Sequence, residues 1–219
     1  MRRAAALVFA LALAAGLAAK AVILLDPGHG GADAGVQAEG FKESDFTLDM
    51  ARRMKPLLEA RGLDVELTRD SDVDLSPSAR VALANGLQPL ALVSLHANAA
   101  FQAGAHGVRI FVPSDGAVDE PAAPLWQQAS RLKASYSKSL GMGLARALGV
   151  GGPRPVQSLK LALFRGLSVP GCLVECEFAS QPEGLAALKD PAKRDEMARR
   201  LSLGIANWAL GGAGAEHAQ

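Results

Sequence analysis

Four residues are of types that could together carry out metal-assisted hydrolysis: His29, Glu43, His96 and Glu175. His29 follows the apolar run Ala21 to Asp26 through Pro27-Gly28, and His96 follows a second apolar run, Leu90 to Leu95. Glu43 opens a segment with helical spacing, and Glu175 ends the short apolar run that starts at Cys172. Imidazole and carboxylate suit zinc, and a catalytic zinc keeps three protein ligands and one open position. A carboxylate left outside the coordination sphere can then act as general base on a water. Each residue also has a plainer explanation. Glu43 alone could simply favour the positive end of a helix. His106, in a glycine-flanked loop, and His217, near the chain end, read as ordinary histidines. Glu175 resists such a reading, because a carboxylate in an apolar strand costs several kcal/mol unless it is paired or bound to metal. Glu177 shares its strand face and is a rival for the role.

The elements that must position these groups follow from periodicity. Continuous apolar runs at Ala21–Asp26, Leu90–Leu95 and Cys172–Glu175 predict strands buried on both faces, each halted by a loop. Asp64–Thr68, Gly107–Val112 and Leu161–Arg165 predict three more. Helical spacing runs from Glu43 to Arg61, with Pro56 predicting a kink or an exposed face. Ser76-Pro77 caps a helix reaching about Asn85, and Leu125 to Leu148 keeps one apolar stripe. Asp190-Pro191 caps a last helix. Alternating strands and helices predict one α/β domain, a mostly parallel twisted sheet of about six strands with helices on both faces. In such sheets sites gather beyond the carboxyl ends of the strands, where His29, Glu43, His96 and Glu175 all fall.

The chain has 219 residues and is 49% apolar, which excludes disorder for most of it. A formal charge of +1 gives no support for nucleic-acid binding. Arg2 and Arg3, an uncharged run from Ala4 to Ala19, and Ala19-Lys20-Ala21 have the layout of a signal peptide over residues 1–21. The run is shorter than the roughly 20 apolar residues that span a bilayer. Export to the periplasm or beyond, with no stable membrane span after cleavage, is therefore expected, with a domain over 22–210 and a loose tail over 211–219. Cys172 and Cys176, four apart on a strand, would stand about 13 Å apart, too far for a disulfide. Both are expected to be free.

The segments LLDPGHGGADAG, FKESDFTLDMARRMKPLLEARG, VELTR, SARVALAN, LVSLHAN, GVRIFV and CLVECEF occur in that order. Together they resemble the catalytic domain of the zinc-dependent N-acetylmuramoyl-L-alanine amidases of bacteria, from about residue 22 to residue 209. The resemblance implies a peptidoglycan hydrolase that cuts the amide between N-acetylmuramic acid and L-alanine. It implies one zinc ion per chain, with His29, Glu43 and His96 matching the ligands and Glu175 the catalytic glutamate. Two other functions stay open: a non-catalytic wall-binding module of the same fold, and a zinc hydrolase of another amide or peptide.

Two positions depart from the family pattern. Ser44 stands where a lysine usually follows the ligand glutamate, and Glu177 stands where a glycine is usual. Arg69, Arg80, Asn85 and Asn98 fall at positions patterned in the family. Local roles in caps and turns are favoured for them, with Asn98 and Arg165 also candidates for substrate contact, Arg165 through a stem-peptide carboxylate. Some family members carry an inserted helix that blocks the zinc until an activator displaces it. Here Pro113 to Pro124 is short and holds three prolines, so an open cleft is expected. An activator or targeting protein remains an unidentified candidate partner.

Overall fold

The computed structural model describes residues 21–114, 125–152 and 154–211, with the side chains of 125–131 excepted. The stretch 115–124, on which the open-cleft expectation turns, lies outside the described residues, as do 1–20 and 212–219.

Six strands form one sheet: β1 (Val22–Pro27), β4 (Asp64–Leu67), β5 (Ala91–Asn98), β6 (Arg109–Pro113), β7 (Gln157–Leu159) and β8 (Gly171–Phe178). Their order is β4-β1-β5-β8-β6-β7. The first four are parallel, β6 runs against β8, and β7 is parallel to β6. A two-residue hairpin, β2 (Gln37–Ala38) and β3 (Phe41–Lys42), leads into helix α1 (Glu43–Glu59). The remaining helices are α2 (Pro77–Leu87), α3 (Leu125–Leu148), α4 (Pro182–Lys189) and α5 (Pro191–Leu210).

The two sheet faces are covered unequally. Ile23, Leu25, Val93, Leu95 and Val174 pack against Met50, Met54 and Leu58 of α1, Leu140 and Leu144 of α3, and Leu201 and Ile205 of α5. On the opposite face Leu24, Leu92 and Leu173 are buried under Val81 and Ala84 of α2 and the residues Leu163, Phe164 and Leu167. Pro56 stays inside α1 on its exposed side, where the lost backbone bond is answered by solvent.

Three details differ from expectation. Leu161 to Arg165 is not a strand: Ala162–Phe164 is a 3-10 turn, and the strand here is β7, just before it. Both neighbours of β8 are already taken by β5 and β6, so the apolar run crosses the sheet face and buries Leu163 and Phe164 there. Strand β5 continues through His96 to Asn98, three residues past the expected end, because β8 pairs with it that far. The short helix α4, opened by Pro182, was not anticipated from periodicity; it is too short to show any. Cys172 and Cys176 are both free and buried.

Candidate metal centre and active site

The chain leaves β1 through Pro27 and turns sharply, placing His29 in the left-handed region at φ 59°. Two buried arginines hold that turn by its carbonyls. Arg69 donates to the oxygens of Pro27, Gly28 and Ser44, and Arg80 to those of Pro27 and His29. Thr47 Oγ1 adds a second donor to the Gly28 carbonyl at 2.8 Å. Arg80 is itself fixed by an ion pair with Asp26, which is wholly buried and also accepts from Thr68 and Ser94. The local roles expected for Arg69 and Arg80 are those the structure gives them. Asn85 likewise ties down the turn at Gly166 and Ser168.

Glu43 is the first residue of α1, where the helix dipole favours a carboxylate. It is 2% exposed, with Oε2 accepting from the Val36 amide and Oε1 from the Ala97 amide. His96 reaches the same point from β5, its ring lying over Gly28. The result is a triangle of donor atoms. His29 Nε2 and His96 Nδ1 each lie 3.1 Å from Glu43 Oε1, and the two nitrogens are 3.2 Å apart. Ligands about a tetrahedral zinc at ~2.0–2.1 Å would stand roughly 3.3 Å from one another. Three N and O donors so spaced fit a zinc-type ion, and this trio is the cluster among the described residues that could hold a metal. The outer nitrogen of His29, Nδ1, is 2.8 Å from Asp33 Oδ2, which sets the ring with Nε2 facing the site.

In the metal-free protein the bond to Glu43 pushes the His29 pKa up to about 9 against the effect of burial, with Asp33 adding to the rise. Burial opposes ionisation of Glu43, yet its bonds to His29 and His96 hold it well below the usual carboxylate range.

Glu175 pairs in register with His96 across β5 and β8. Burial raises its pKa to about 6, with the nearby Glu43 charge adding and His96 opposing. Its Oε2 is buried and has no hydrogen-bond partner. Both it and the three donors line a cleft of about 470 Å³, together with Asn98, Phe111, Leu161 and Leu173. Glu177, the rival carboxylate, is occupied elsewhere: its Oε1 accepts from the amides of Gly107 and Phe178 and fastens the β5–β6 loop to β8.

Asn98 lines the cleft while its Oδ1 accepts from the Ala99 amide. Arg165 does not touch the four-residue cluster. It stands at an adjoining cavity that shares Leu161 with the cleft. Asp33 and Phe111 were missed in the sequence. Asp33 could have been suspected from its place four residues after His29, whereas nothing local marks Phe111.

An α/β domain with three donors that could hold a metal and an unpartnered buried carboxylate at one sheet edge has the parts that metal-assisted hydrolysis needs. A family model described as N-acetylmuramoyl-L-alanine amidase matches residues 23–207, and the chain belongs to that family. It is 29% identical over 198 residues to the germination-specific N-acetylmuramoyl-L-alanine amidase of Bacillus subtilis, covering 84% of this chain and 78% of that one. It is 29% identical over 223 residues to the amidase AmiC of Escherichia coli O6:H1, covering 88% of this chain and 54% of that one. The chain therefore spans about half the length of this second relative. Among solved structures, the catalytic domain of CwlV from Bacillus (Paenibacillus) polymyxa shares the fold, with a TM-score of 0.72 at 24% identity, covering 87% and 98% of the two chains.

Proposed function

We infer that this chain is a zinc-dependent peptidoglycan hydrolase that cuts the amide between N-acetylmuramic acid and L-alanine. The family match supports the substrate, and the donor triangle with Glu175 beside it supports the chemistry. His29, Glu43 and His96 would hold the ion. Zinc, when bound there, supplies a Lewis acid for the scissile carbonyl and brings a water's pKa towards ~7.

Glu175 does the proton work. Its side chain lines the cleft with one oxygen left without a partner, and a pKa near 6 leaves it ionised at neutral pH yet able to carry a proton briefly. It takes a proton from the attacking water and returns it to the departing amine of L-alanine. The fixed bonds around Glu43 and the turn at His29 keep the donors in place, so the geometry needs little rearrangement. Asn98 is placed to contact the substrate from the rim of the cleft.

The same function assigns residues 1–21 to an export leader, 22–210 to the catalytic unit and 211–219 to a tail, in keeping with the sequence pattern. No helix among the described residues is long and apolar enough to cross a membrane. The test is mass spectrometry of whole peptidoglycan digested by the purified zinc-loaded protein. Free stem peptides beginning at L-alanine, with intact glycan strands, are expected. Binding without products would favour a non-catalytic wall module, and cuts elsewhere a different hydrolase.

A further inference from the structure

The cleft does not end at the metal centre. Leu173 lies two residues before Glu175 on the same strand face, Phe111 pairs with Leu173, and Leu159 pairs with Pro113. Phe111 and Leu173 line the cleft, Pro113 and Leu159 line a second cavity of about 240 Å³ beside it, and Leu161 lines both, so the two together form one trough along this sheet face. From the level of Glu175, which pairs with Arg109, to Pro113 is four residues along β6, about 13 Å at ~3.3 Å per residue. That length suits three or four residues of extended peptide.

The two ends differ in charge. Glu43 and Glu175 stand at the metal end. At the far end the second cavity has an apolar floor, Pro113, Leu161 and Phe164, and two exposed cations, Lys160 and Arg165. Among the described residues neither cation has a side-chain hydrogen bond or ion pair. An apolar floor beneath a guanidinium and an ammonium is the chemistry that receives a carboxylate on a short aliphatic chain.

The geometry points to a specificity site here: Lys160 and Arg165 take a free carboxylate of the stem peptide beyond L-alanine, and the trough carries that peptide away from the scissile bond. This rests on the proposed amidase activity. Lys160 and Arg165 would be binding residues with no part in the chemistry, so their removal should raise KM and leave kcat nearly unchanged.

The experiment compares zinc-loaded wild type with the double variant Lys160→Ala/Arg165→Ala on three soluble muropeptides. One has all stem carboxylates free, one is amidated at the second stem residue, and one at the third. In the double variant KM for the free-acid substrate should rise about tenfold, the scale of one hydrogen bond to a charged group, with kcat within twofold. Amidation at the residue recognised should raise the wild-type KM by a similar factor and abolish the difference between the two proteins, so the two amidated substrates tell which carboxylate is held. An unchanged KM in the double variant, or equal wild-type KM for all three substrates, would overturn the site while leaving the amidase function standing. Failure of wild type to cleave any of the three would overturn the amidase function, and this site with it.

Discussion

A β-carbon placed on Gly28 would lie 2.3 Å from Cε1 of His96. The first strand's exit loop and the ligand histidine of β5 are thus packed so closely that only hydrogen fits between them. Gly28→Ala should push the His96 ring off the donor triangle. Zinc affinity, measured by competition with a chromogenic chelator, should fall about 10–100-fold, the range seen when the support of a metal ligand is disturbed. Unaltered affinity would mean that the turn can yield, and that His96 is not held by it.

Glu175→Gln should keep zinc and lose most turnover, about 10²-fold or more. The same change should stabilise the metal-free protein. Burial raises the Glu175 pKa from 4.5 to about 6, so its neutral form suits the fold. That stability is present below pH 4.5 and is lost as pH rises through 6. Above that, the ionised carboxylate costs about 2 kcal/mol, which glutamine does not incur. Thermal melts should show the variant more stable at pH 8 and level with wild type near pH 4.5. Glu177→Gln should leave turnover within a few-fold, since an amide oxygen can still accept from Gly107 and Phe178. Reversed effects on turnover would exchange the roles of the two carboxylates.

Zinc uptake should be linked to proton release. With His29 raised to about 9 by Glu43, the metal-free site holds a proton at neutral pH that the ion must displace. Apparent affinity should therefore climb about tenfold per pH unit from 7 towards 9 and then level off. Isothermal titration in buffers of differing ionisation heat would count the proton. A flat affinity across that range would show that His29 does not carry it.

Arg80→Met should be among the most damaging single changes. Arg80 is 5% exposed, and its loss strands Asp26, which is fully buried, with only Thr68 and Ser94 as partners. Breaking a buried pair in this way costs about 3–5 kcal/mol. The carbonyls of Pro27 and His29 lose a donor as well, so zinc affinity should fall along with the denaturation midpoint. Retention of both would assign the support of the His29 turn to Arg69 and Thr47.

Much of this was legible in the sequence because the chemistry sits where local patterns change. The histidines follow apolar runs, Glu43 stands at a helix start and Glu175 ends an apolar run, so periodicity alone placed all four groups at one sheet edge. What resisted reading depends on partners distant in sequence. The reversed direction of β6 and the crossing of Leu161 to Arg165 over the sheet are decided by which strands already flank β8. Period-two alternation put Glu175 and Glu177 on one face. Only the distant Gly107 amide, seventy residues away, reveals that the second carboxylate is already engaged.

The strand that carries Glu175 is the last of the six to be synthesised, yet it lies between β5 and β6, inside the sheet. The chain up to Pro170 already contains His29, Glu43 and His96, on the turn after β1, at the start of α1 and on β5. It lacks both Glu175 and the strand that joins the two parts of the sheet. β8 is thus the seam of the sheet: only when it pairs with β5 on one side and β6 on the other do the β4-β1-β5 and β6-β7 parts become one sheet, and the same pairing brings Glu175 beside His96.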